Sequence, residues 1–191
     1  YGLNKIYLCI MMFFLFVLSG IRGDFATDYV NYNWSYQNVY SAETIIELLR
    51  RREFGFAFIN KIAFFINSNT VTFMLIISAL TTFCYYIMFE KYSEDYLVSL
   101  IMLVVLDNYV ISFNLTRNIL ACAFFLLSSE LIINKKLLQY LICVLLITTI
   151  HKSAILMLPM YWILKFDFRI KKHQIFPLLC IVGGIIFMLF F

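Results

Sequence analysis

Two residues in the central part of the chain carry groups that are costly in apolar surroundings unless they pair or face a wet cavity. Arg117 lies within the stretch FNLTRNILA, between two apolar segments, and His151 with Lys152 interrupts the long apolar run LLQYLICVLLITTIHKSAILMLP. A guanidinium stays charged and presents a planar fork of donors that fits phosphate oxygens two at a time. Arg117 is therefore suited to hold a phosphate or pyrophosphate. The alternatives are snorkelling to lipid headgroups or pairing with Asp107. His151 has the chemistry of a general base, a phosphate donor or a metal ligand, or it is a satisfied histidine at a helix break. The other histidine, His173, falls in a separate loop, so the sequence supports no metal site.

A second group lies early in the chain. Arg22, Asp24 and Asp28 follow the first apolar run, and Glu53 follows the triple arginine Arg50 to Arg52. The two aspartates suit sugar hydroxyls or acid–base work, and equally a solvated loop with local turn bonding.

The elements that must position these groups are membrane-grade. The chain has 191 residues, of which 63% are hydrophobic, 19% aromatic and only 14% charged. Apolar runs of spanning length recur throughout, which excludes an ordinary soluble domain and predicts a single all-α, polytopic transmembrane bundle over 1–191. The net charge of +4 fits loop lysines and arginines of an inner-membrane protein, and no nucleic-acid surface is indicated. The five cysteines sit inside apolar runs without a C-x-x-C pair, and read as small hydrophobes. The chain ends within the apolar run IFPLLCIVGGIIFMLFF, so we expect a fragment whose C-terminal helices are missing.

Ile6 to Leu18 reads as an uncleaved first helix. Residues 22–53 form a polar stretch whose spacing of Ile45, Leu48 and Leu49 predicts a short amphipathic helix from Ala42 to Arg52, at the interface or capping a bundle. Within it, Glu47 stands one turn before Arg51. Phe54 to Ile66 would reach roughly 20 Å against a core of about 30 Å, too short to span, and reads as re-entrant or interfacial. Val71 to Phe89, Tyr96 to Phe113 and Leu115 to Ile133 read as spans. Leu137 to Leu164 would be roughly 42 Å as one helix, so a broken or re-entrant pair divided at His151 is predicted. With Lys5, Lys91, Lys135, Lys136 and the cluster at 165–172 cytoplasmic, Arg22, Asp24, Asp28, Glu53, Arg117 and His151 fall on the outer side, and 22–53 is an extracytoplasmic loop. Arg50 to Arg52 then lie outside, against the rule.

The order of motifs resembles a known family. R-G-x-x-x-T-D-Y-x-x-Y runs from Arg22 to Tyr32, E-x-G-F from Glu53 to Phe56, T-R-N-I-L-A from Thr116 to Ala121, and I-H-K-S-A-I-L-x-L-P-x-Y from Ile150 to Tyr161. Together they resemble the EpsG family of exopolysaccharide proteins, which are similar to Wzy-type O-antigen and capsule polymerases. Departures are Ala26 for a usual Gly, Phe54 for a frequent Pro and Asn118 for a common Gln. The resemblance implies a multi-pass protein of the bacterial cytoplasmic membrane. It would polymerise oligosaccharide repeat units carried on undecaprenyl pyrophosphate at the outer face, as a metal-independent glycosyltransferase with no cofactor. It implies as partners the lipid-linked oligosaccharide, membrane lipid, and a chain-length regulator or other assembly proteins. In that frame Arg117, with Arg22 or Lys152, would hold the pyrophosphate, and His151 would bind phosphate or orient the acceptor. Asp28 or Glu53 would be the base or the acceptor-hydroxyl ligand. The competing readings are a flippase for the same lipid-linked sugar and a non-catalytic membrane subunit of the assembly complex.

Overall fold

The computed structural model describes residues 2–23, 28–40, 44–106 and 108–164. Asp24, Thr27, Asp107, the basic cluster at 165–172, His173 and Cys180 lie outside the described residues. The chain divides into two compact units, Tyr1–Pro159 and Met160–Phe191. In the second, only the short helix α10 (Met160–Ile163) and Leu164 are described.

Among the described residues the first unit is helical without strands. Helix α1 (Gly2–Gly20) is followed by α2 (Tyr29–Ser35), which continues through a π-helical turn at Tyr36–Tyr40. Then come α3 (Ile45–Leu49), α4 (Phe54–Ile66), α5 (Thr70–Tyr92), α6 (Tyr96–Val105), α7 (Asn108–Ile111), α8 (Thr116–Ile133) and α9 (Leu137–Ile150). A 3₁₀ segment, Lys152–Met157, closes the unit. Two of these helices, α5 and α8, are long and apolar enough to cross a membrane.

Helix α4 starts and stops where its apolar run does, at 13 residues. The run Leu137 to Leu164 is broken at His151, whose backbone is extended. The chain then doubles back: buried Tyr140, near the start of α9, donates its hydroxyl proton to the Met157 carbonyl. The amphipathic stretch is a shorter helix than its pattern predicts. Glu47 turns back to Thr44 in a reciprocal capping box instead of reaching Arg51, and Leu48 is the buried residue. That capping holds the Glu47 carboxyl below its usual range, through the Thr44 backbone N–H first and then its hydroxyl.

One prediction fails. Tyr96 to Phe113 is two short helices, α6 and α7, and not a single span. Leu106 leaves the helical backbone at the end of α6, and after α7 a serine hydroxyl bonds locally to the backbone. Ser112 donates its hydroxyl proton to the Tyr109 carbonyl at 2.5 Å.

Among the described residues two of the apolar clusters that hold the unit bear on the site. In one, Phe73 of α5 stacks on Tyr36 at 5.6 Å between ring centroids and takes the edge of Phe56 at 5.7 Å. In the other, Leu8, Met12 and Leu15 of α1 meet Leu100 and Leu103 of α6. The helices sort their charges by end. Lys5 at the start of α1 pairs with Glu90 near the end of α5 at 2.5 Å, and Lys91 pairs with Glu130 near the end of α8. At the opposite end of α5 lie Arg22, after α1, and the first turn of α8.

Candidate functional site

The site is built around Glu53, the residue before α4. Its position depends on Gly55. A Cβ added there would lie 2.1 Å from Thr149 Oγ1 and 3.1 Å from the Thr149 backbone carbonyl carbon. Only a residue without a side chain lets the start of α4 come this close to the end of α9. That approach brings Glu53 against the helix break at His151.

Its carboxylate then gathers three elements. Oε1 accepts from the Lys152 backbone N–H at 3.0 Å and lies 3.1 Å from His151 Nδ1. Oε2 accepts from Arg117 NH1, in the first turn of α8, at 2.5 Å. The Arg117 guanidinium also lies over the Phe56 ring, 5.5 Å from its centroid. The Glu53 side chain is 17% exposed, His151 23% and Arg117 42%, so the centre is sunk but open to one side.

The electrostatics fix the protonation pattern. Burial pushes the Glu53 carboxyl up, but the Lys152 N–H, the Arg117 charge and His151 together outweigh it and hold it below the usual carboxylate range. An ionised carboxylate only accepts hydrogen bonds, so the His151 contact requires the proton on Nδ1. In the neutral ring the free lone pair is then on Nε2. The arrangement can orient an imidazole as a proton acceptor next to cationic groups suited to an anion.

The structure brings together four of the residues singled out from sequence: Glu53, Arg117, His151 and Lys152. Arg22 is elsewhere. It is 3% exposed and donates to Thr116 Oγ1 at 2.7 Å, to Ser19 Oγ at 3.2 Å and to Met74 Sδ at 3.3 Å. Burial lowers its pKa to about 10, which leaves it charged at neutral pH. Asp28 caps α2, half-buried and without a side-chain bond to that helix. One turn on, Tyr32 packs on Phe56 at 6.0 Å between centroids, so α2 lies beside the Glu53 centre without Asp28 joining it. Sequence reasoning gave no role to Thr116, although it opens the T-R-N-I-L-A motif, and it missed Thr149, an ordinary helix residue by pattern. Among the described residues no three His, Cys, Asp or Glu side chains group as a metal site.

The EpsG family model matches residues 5–191, nearly the whole chain. The chain belongs to the EpsG family. An EpsG chain is a membrane protein of the polysaccharide-polymerase type. No curated protein and no solved structure matches it.

Proposed function

We propose that this EpsG protein joins oligosaccharide repeat units carried on a polyprenyl pyrophosphate, undecaprenyl pyrophosphate in bacteria, at the outer face of the cytoplasmic membrane. The observation that carries the reading is the Glu53 carboxylate, which ties the His151–Lys152 break and Arg117 of α8 to the start of α4. In the step proposed, an acceptor sugar hydroxyl attacks the anomeric carbon of the donor. The bond from that carbon to the pyrophosphate oxygen breaks, and the configuration inverts. His151 Nε2 takes the hydroxyl proton, while Glu53 holds the ring and balances the imidazolium that forms. Arg117 and the Lys152 ammonium meet the charge of the departing lipid pyrophosphate.

Glu53 itself is a poor base, because its partners stabilise the ionised form. Asp28, on the neighbouring α2, is assigned to the acceptor hydroxyls. The outer-face placement is supported by the sorting of charges: Lys5, Glu90, Lys91, Glu130, Lys135 and Lys136 sit at the end of the bundle away from Glu53.

The test is complementation of a polymerase-deficient host with the full-length gene, read as the surface polysaccharide ladder. Wild type restores a ladder, and His151→Ala and Arg117→Ala leave single repeat units. Loss of all surface sugar in the variants would point to translocation instead. Wild-type ladders in both would point to a non-catalytic subunit.

A further inference from the structure

Arg22 is the most buried charge in the described protein, and it is not at the Glu53 centre. We infer that Arg22 is a positioning residue: through the Thr116 hydroxyl it sets the first turn of α8, and so the place from which Arg117 reaches Glu53.

The geometry is continuous. Helix α8 begins at Thr116, and the residue before it, Leu115, offers no side-chain cap. The entry is held instead by Arg22, which donates to Thr116 Oγ1 at 2.7 Å while its guanidinium lies 5.6 Å from the centroid of the Phe113 ring. Thr116, 2% exposed, passes its own hydroxyl proton back to the Ser112 carbonyl at 3.4 Å. Both ends of the turn from Ser112 to Thr116 are thereby tied to one side chain. Arg22 is itself fixed on the far side, by Ser19 at the end of α1 and Met74 of α5. The next residue after Thr116 is Arg117.

Two cations near the N-terminus of one helix oppose the helix dipole. Arg117 answers with the Glu53 carboxylate at 2.5 Å, whereas Arg22 has only hydroxyls, a thioether and a ring among the described residues. Its Nε has no partner there and borders a cavity of about 10 Å³ lined by hydroxyls including Ser78 and Ser112. Among the described residues this buried cation is held by neutral groups and not by an ion pair. Its planar fork serves to hold three helices in register.

This inference builds on the reading of Glu53, His151 and Arg117 as the reacting centre, but its test needs no substrate. The full-length protein is labelled with ¹³C-carboxyl glutamate and placed in nanodiscs. Glu53 is titrated by infrared spectroscopy, with the Glu53→Gln spectrum subtracted. Arg117→Met raises the Glu53 midpoint, because the guanidinium charge that favours the ionised form is gone. Thr116→Val, close in shape but without the acceptor, raises it in the same direction, and Thr116→Ser leaves it at the wild-type value. Arg22→Lys, which keeps the charge and loses the fork, shifts it as Thr116→Val does. The double variant Thr116→Val/Arg117→Met matches Arg117→Met alone. A wild-type midpoint in Thr116→Val or Arg22→Lys overturns the inference, as do additive shifts in the double variant or an unmoved midpoint in Arg117→Met. Binding of farnesyl pyrophosphate to the same wild-type sample reports separately on the proposed function, and its absence leaves the positioning result readable.

Discussion

Replacing Gly55 by alanine tests whether the close approach of α4 and α9 is what places Glu53. The new methyl would stand 2.1 Å from Thr149 Oγ1, 3.0 Å from its Cβ and 3.1 Å from its backbone carbonyl carbon. Rotating the threonine relieves only the first of these. The start of α4 and the end of α9 must therefore move apart by several tenths of an ångström or more. Overpacking of this kind costs about 1–3 kcal/mol, offset by up to about 1 kcal/mol from alanine's better helix propensity. With the full offset the net loss is up to about 2 kcal/mol, a melting shift of up to roughly 8 °C at this chain size. Function suffers more than stability. The bond from the Lys152 N–H to Glu53, now 3.0 Å, would lengthen past hydrogen-bond range, and a misplacement of about 1 Å in a reacting centre costs on the order of 10²-fold in rate. The assay pairs thermal melting of purified protein with the surface polysaccharide ladder. Adding Thr149→Ala removes the hydroxyl clash but leaves the contacts with Cβ and the backbone, so recovery is partial. A Gly55→Ala protein with wild-type melting and a wild-type ladder would refute the reasoning, because Glu53 would then be placed by something else.

Three further outcomes are expected. Arg117→Lys keeps a charge but not the planar fork, so it should lose polymer nearly as completely as Arg117→Ala at equal protein levels; a fully active lysine variant would rule out two-point phosphate binding. Because the Glu53 carboxyl is depressed in the fold, its stabilisation is present above the ordinary glutamate value of about 4.3 and is lost as pH falls through the folded value. Unfolding measured from pH 6 downward should therefore show a flatter acid limb in Glu53→Gln than in wild type. Lys135 is held at φ 57° where α8 ends, with Lys136 N–H bonded to the Leu131 carbonyl and Lys135 N–H to that of Ile132. Glycine fits this left-handed site without a Cβ penalty, so Lys135→Gly should stabilise the protein by about 1 kcal/mol, and a lower melting temperature would contradict that.

Much of the site was legible because its residues violate their surroundings. Arg117 and His151 stand out in apolar runs, and an apolar stretch too long for one helix had to break at its polar interruption. The break at His151 and the short α4 follow from length alone. Glu53 was harder, since one carboxylate after three arginines reads as loop solvation until the fold brings it to residues far along the chain. Tyr96 to Phe113 misled because hydropathy averages over a departure from helical backbone such as that at Leu106. The burial of Arg22 was invisible to pattern, because its described partners are a threonine, a serine, a thioether and a ring, none of which stands out in the sequence. Gly55 belonged to a recognisable motif, but only the contact with Thr149 shows what its missing side chain permits.

The most direct test of the central claim uses purified full-length protein in nanodiscs with a defined polyprenyl-pyrophosphate-linked oligosaccharide, read by gel and mass spectrometry for joined repeats and released polyprenyl pyrophosphate. The account predicts oligomers from wild type, with one polyprenyl pyrophosphate released per bond formed. It predicts neither product from His151→Ala, and a strong reduction from Glu53→Gln. Oligomers formed at the wild-type rate by both variants would contradict it.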